Sequence, residues 1–150
     1  MHLKWRPPPP HLDTAFFFPL IFYYFFFETF PKGPLATAVA ASDWGLYFGG
    51  VFDGCDYDQD IVVNHAVLLV GYGTDASEGD YWLIKNSWST GWGDQGYIKL
   101  RRRAEPMCGT DYSPLDGSGC VDGGVESVHV CGTCAVLSDN SYPIGTHFTK

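Results

Sequence analysis

Asn64-His65-Ala66-Val67-Leu68-Leu69-Val70-Gly71-Tyr72-Gly73 and Tyr81-Trp82-Leu83-Ile84-Lys85-Asn86-Ser87-Trp88 are the two stretches whose reading decides the fold. From His65 the first is an almost unbroken apolar run of strand length. The second is shorter and rich in aromatic and β-branched residues, and polar, turn-like residues 74–79 separate the two. Taken as an antiparallel hairpin of residues 65–73 and 80–86, the pair has its turn near residues 75–76. Symmetric pairing about that point sets His65 opposite Asn86, and directly opposed residues share one face of a sheet. An Asn oxygen that accepts from an imidazole N–H fixes the tautomer and leaves the other ring nitrogen for a nucleophile. On periodicity alone, a satisfied structural pair of polar residues remains the alternative.

Working outward, Gly96 to Arg101 alternates well enough for a third strand. Leu35 to Ala41, after Pro34, is a short Ala-rich run that fits either strand or helix. Trp44 to Phe52 contains Gly49-Gly50, a turn signal. Pro106 to Gly124 is rich in Gly, Asp and Ser and reads as a long loop, and Tyr142 to Phe148 reads as a closing edge strand. From Gly33 onward the chain is therefore a β-rich domain, and no long repeat suggests a solenoid.

The first 32 residues are compositionally different. Eight of the 11 Phe residues lie between Phe16 and Phe30, and six of the 10 Pro residues between Pro7 and Pro31. The apolar stretch from Ala15 to Phe27 is interrupted by Pro19 and is shorter than the roughly 20 residues a spanning helix needs. The Pro7–Pro10 run, Asp13 and the lack of a small-residue cleavage site argue against a signal peptide. Residues 1–32 are read as a leader foreign to the domain, a translated pyrimidine-rich intron tract or a weak signal segment, and residues 33–150 as the domain itself. A net charge of −8, with Arg101-Arg102-Arg103 as the only basic run, excludes a nucleic-acid footprint. Nothing in the sequence indicates a membrane partner, a metal or a cofactor.

The segment around His65 resembles the catalytic-His segment of papain-like cysteine proteases. Tyr81 to Trp88, with Gly91-Trp92-Gly93 and Gly96-Tyr97, resembles that family's Asn segment. Gly33-Pro34-Leu35, the segment from Tyr47 to Phe52 and Ser141-Tyr142-Pro143 are similar to the family as well, so the likeness covers roughly residues 33–150. It implies an α+β family fold, of which the part present is mainly antiparallel β, the barrel-like half with little helix. It also implies peptide-bond hydrolysis of peptide or protein substrates by a Cys-His-Asn mechanism, a lysosomal, vacuolar or secreted location, and family inhibitor proteins as further partners. The resemblance makes His65 the general base and Asn86 its orienting partner. Trp88 would cover their contact, and Trp92 would line the leaving-group side. Asn64, Ala66 and Asp139 would touch substrate, with Asp139 as an acidic pocket floor favouring a basic side chain. Ser89 departs from the Gly usual after the first Trp.

The nucleophile is missing from this pattern. The family's Cys stands in a Cys-Gly-Ser-Cys-Trp context well before the His, but no such motif and no Cys precedes Cys55 here. Cys131-Gly132-Thr133-Cys134 looks superficially similar but follows the His and Asn segments and runs quickly into Pro143. The chain as written is therefore expected to be inactive alone. A non-catalytic, disulfide-stabilised β domain that binds peptides is the alternative. The resemblance pairs Cys55 with Cys134, and leaves Cys108, Cys120 and Cys131 to form one further pair with one cysteine over. Four tail cysteines could instead hold zinc, but with a single Cys-x-x-Cys the disulfide reading is preferred. Asp53, Asp56, Asp58 and Asp60 resemble the opening of a calcium loop, but Ile61 stands at the required Gly, so they are read as a solvated acidic loop.

Overall fold

The computed structural model describes residues 33–116 and 124–143. Eight strands are present there: β1 (Leu35–Val39), β2 (Val51–Phe52), β3 (His65–Asp75), β4 (Gly79–Lys85), β5 (Tyr97–Arg101), β6 (Cys108–Asp111), β7 (Val128–Cys131) and β8 (Asp139–Ser141). Among the described residues the only helical elements are 3₁₀ turns at Ser42–Leu46 and Thr133–Ala135. The fold is thus the strand-dominated half that the sequence implies.

Six strands form one sheet in the order β2-β5-β4-β3-β1-β8, and β6 and β7 form a separate ribbon. The sheet is antiparallel except where β2 runs parallel to β5. The Leu35–Ala41 run resolves to a strand because its alternating residues Leu35, Thr37 and Val39 are buried. They share the inner face with Val67, Leu69, Ile84, Ile98 and Leu100, all at most 8 % exposed. Complete burial of such side chains contributes about 1.5–3 kcal/mol each, which fixes the face that β1 turns inward.

Three expectations are corrected. The 65–86 hairpin does not oppose His65 and Asn86 directly. Asp75 pairs with Gly79 and Gly71 with Leu83, but past a bulge at residue 70 Leu69 pairs with Ile84 and Leu68 with Lys85. Continuing that register sets Asn86 beside Val67, two residues along β3 from His65 and on the same face. The turn centres on Ser77, where Asp75 Oδ1 accepts from Ser77 N, Ser77 Oγ and Glu78 N and tightens the loop. Second, the stretch read as a loop from Pro106 contains β6, whose partner β7 lies beyond the loop. Third, the edge strand is β8, ending at Ser141, and Tyr142 and Pro143 are not in a strand. The rest of the expected closing strand, to Phe148, lies outside the described residues, as do residues 1–32 and Cys120.

Two disulfides close the domain. Cys55–Cys134 is the pair the resemblance implied, and Cys108–Cys131 settles the partnership in the tail. The acidic loop is solvated, with Asp53, Asp56, Asp58 and Asp60 all exposed, and it is also tied to its neighbours. Asp53 pairs with Arg103 at 2.7 Å, and Asp60 accepts from Tyr112 N and Ser113 Oγ.

Candidate active site

His65 opens β3 directly opposite Val39 of β1, and Asn86 follows the last residue of β4. The backbone of Asn86 is held by its N–H donating to Gly96 O at 2.9 Å, so the loop from Ser87 to Gly96 returns on itself. Gly93 makes that return possible. Its φ is +59°, and a Cβ there would lie 2.6 Å from the Tyr97 carbonyl oxygen.

His65 Nε2 lies 2.8 Å from Asn86 Oδ1. The same Oδ1 accepts the Ser87 backbone N–H at 2.7 Å. A flipped amide would turn its NH₂ against that N–H, so oxygen must face the imidazole. Nε2 is therefore the donor. In the neutral ring Nδ1 then carries the lone pair, and Nδ1 has no hydrogen-bond partner among the described residues. Asn86 is 8 % exposed, and its Nδ2 has no partner among the described residues. The amide is therefore oriented entirely through its oxygen.

Aromatic rings surround this contact. Trp88 lies 5.1 Å from the His65 ring at 33°, and Trp92 meets Trp88 edge-on at 5.1 Å. Trp44, fully buried, stands edge-on to His65 at 6.3 Å and stacks on Trp92 at 6.2 Å. Its carbonyl accepts from Trp92 Nε1 at 3.1 Å, and its own Nε1 donates to Cys134 Sγ at 3.5 Å. Trp88 is 38 % exposed, so one side of its ring meets the His65 ring while the other meets solvent. Tyr47 completes the base of the cluster. Its hydroxyl donates to Gly50 O and accepts from Lys99 N. Burial raises its pKa above the ordinary tyrosine value, an effect the Lys99 N–H opposes.

Sequence reading missed Trp44 as a member of this group. The available signal was an aromatic inside a short polar-flanked segment, which reads equally well as core.

The other substrate candidates fall on two surfaces. Asn64 is exposed, but its side chain is occupied. Oδ1 accepts Ala41 N–H at 3.0 Å and Nδ2 donates to Ser42 Oγ at 2.9 Å, tying the 42–46 turn to the start of β3. Ala66 and Asp139 are each paired with Ala38, one from β3 and one from β8, so all three share the outward face of β1. Asp139 is exposed there. Ser89 adopts φ +70°, the left-handed region that favours glycine, with its Oγ accepting Gly91 N–H at 3.3 Å.

A family model described as papain family cysteine protease matches residues 28–117. Cathepsin L of Sarcophaga peregrina is 49 % identical over 79 residues, 51 % of this chain and 23 % of that protein. A cathepsin L-like protein of Caenorhabditis elegans is 45 % identical over 82 residues, again 23 % of its length. This chain thus spans about a quarter of the curated relatives it matches. Among solved structures, bromelain from Ananas comosus, determined with the E64 inhibitor, superposes with a TM-score of 0.53 at 29 % identity, covering 79 % of this chain and 43 % of bromelain. The proform of the ragweed pollen cysteine protease Amb a 11 gives 0.51 at 32 % identity, covering 76 % of this chain and 28 % of that one. With more than half its length matched by the family model, this chain belongs to the papain family of cysteine proteases.

Proposed function

We propose that residues 33–150 are the base-bearing half of a peptide-hydrolysing cysteine protease, with His65 as general base and Asn86 as its orienter. The observation that carries this is the 2.8 Å contact from His65 Nε2 to an Asn oxygen whose orientation Ser87 N–H fixes. With Nε2 engaged, Nδ1 is the atom that takes the proton from a thiol and later returns it to the leaving amine. Trp88 limits water competition for the Nε2 contact, and Trp92 lies toward the leaving-group side. Asp139, Ala38 and Ala66 form a small-residue row with an acid at its end, which favours a basic substrate side chain by charge pairing. Any substrate contact from Asn64 falls to its main chain, because its amide is already engaged.

Among the described residues the chain supplies no nucleophile to Nδ1. Cys55, Cys108, Cys131 and Cys134 are bonded in pairs, and a disulfide sulfur is no thiolate. The thiol therefore comes from a complementary Cys-bearing half, and residues 1–32 are a foreign leader. Two disulfides fit maturation in an oxidising secretory route, with a lysosomal, vacuolar or extracellular destination.

The test pairs residues 33–150 with the Cys-bearing half of a papain-family protease and follows cleavage of a fluorogenic peptide. The chain alone is silent, the co-purified pair turns over, and His65→Ala lowers the rate by about 10²–10⁴-fold. A stable pair that is inactive, or one indifferent to His65→Ala, overturns the reading.

A further inference from the structure

We propose that the β6–β7 ribbon is a reduction-gated site for a soft divalent cation, zinc by preference, with Cys108, Cys131 and His129 as its protein ligands. Cys108 and Cys131 are directly paired across the ribbon. His129 stands two residues before Cys131 on the same strand, and so on the same face. Its Nε2 lies 3.6 Å from Cys131 Sγ, and one ligand atom from each of the three residues falls within 4.8 Å of the others. His129 is exposed and both cysteines are partly exposed. Val130, between the two β7 ligands, is 2 % exposed and packs with Ile61 and Ala135. The buried side of the ribbon is thus anchored while the donor side faces solvent.

In the disulfide state the sulfurs are spent on each other, and one imidazole is not a metal site. A small-molecule dithiol delivers two electrons to the Cys108–Cys131 bond, closes to its own cyclic disulfide, and leaves two thiols on the ribbon. Zinc then binds as both thiols release their protons to solvent and His129 Nε2 offers its lone pair, with water as the fourth ligand. Two thiolates and one imidazole suit zinc and exclude calcium and magnesium, which prefer oxygen. The other disulfide offers no such site. Cys134 is fully buried, and among the described residues no third ligating side chain joins Cys55 and Cys134.

The ribbon also bears on the approach to His65. Asp111 Oδ2 accepts Val63 N–H at 3.1 Å, and Thr110 O accepts Ile61 N–H at 3.2 Å. A metal cross-link would keep this buttress closed in surroundings that open the disulfide.

The test uses the full chain with Cys120→Ser, so that Cys120 cannot act as a ligand. After reduction with a dithiol and desalting under nitrogen, cobalt(II) is titrated and read by its thiolate-to-cobalt charge-transfer band. One cobalt per chain is expected, displaced by zinc and absent both from the oxidised protein and after reoxidation. Cys108→Ser abolishes the band, and His129→Ala weakens binding by about tenfold or more, since even outer-shell partners are worth about 10–100-fold. Circular dichroism of the reduced protein, with and without His129→Ala, serves as the folding control, because the dithiol can also open Cys55–Cys134. A band that persists in Cys108→Ser, affinity unchanged in His129→Ala, or no band at all in the reduced protein overturns the proposal.

Discussion

Replacing Cys55 and Cys134 by alanine removes the cross-link with the longest closure in the domain. The bond spans 79 residues, and the chain-entropy relation gives about 4.5 kcal/mol for a loop of that length. The Cys108–Cys131 bond spans 23 residues and lies inside the outer loop, so with the inner bond intact the outer loop behaves as one of about 57 residues. That reduces the outer contribution to about 4.2 kcal/mol, against about 3.4 kcal/mol for the inner bond. Burial adds to the outer figure, because Cys134 is fully buried and Trp44 Nε1 donates to its sulfur. Urea unfolding followed by tryptophan fluorescence reads both variants. The outer variant should lose more stability than the inner one. If the outer loss exceeds the domain's reserve and the protein unfolds outright, the inner variant supplies the graded value. An outer loss below about 1 kcal/mol, or an inner loss larger than the outer, would refute the loop-closure reasoning.

Three further outcomes follow from local geometry. Ser89→Gly relieves a left-handed backbone at a net gain of about 0.5–1 kcal/mol after the entropy of glycine and the loss of the Gly91 contact, read as a higher melting temperature. Asn64→Ala removes two hydrogen bonds to the 42–46 turn and costs about 1–2 kcal/mol in chemical denaturation, whereas Asn64→Asp keeps the acceptor for Ala41 N–H and recovers part of it. The backbone N–H of Ser77, its hydroxyl and Glu78 N–H hold the Asp75 carboxyl below its ordinary 3.8. Its contribution is therefore present above that value and lost as pH falls through the lower native one. Asp75→Asn should flatten the acid limb of the melting curve below about pH 4 and leave its shape near neutrality unchanged.

The sequence was most legible where the apolar pattern was long. Residues 65–73 and 80–86 announce a hairpin that carries His65 and Asn86 to one end, and the structure brings those side chains into contact. The pairing itself was not legible. A bulge at residue 70 and a three-residue turn each shift the register, and neither leaves a mark in the hydrophobic pattern. Trp44 was hidden for a different reason: it lies 21 residues before His65 and reaches the site only through the tertiary stacking of four rings. The ribbon strands β6 and β7 are only four residues each, too short for their alternation to stand out from the loop sequence around them.

The strand order carries a consequence for how the chain emerges during synthesis. β3, β4 and β5 are sequential neighbours in the sheet, so this meander can form as soon as about residue 101 is available. β1 is made earlier but lies on the far side of β3, and must wait for it. Its other side waits longer still, because Thr37 Oγ1 donates to Val136 O, 99 positions later, and β8 pairs with β1 from Ala36 to Ala38. The strand that carries Val39 to the side of His65 therefore stays half-paired until nearly the whole described chain has left the ribosome. During that interval it is an open edge exposed to mispairing, and the tail segment beyond Cys134 ends that exposure.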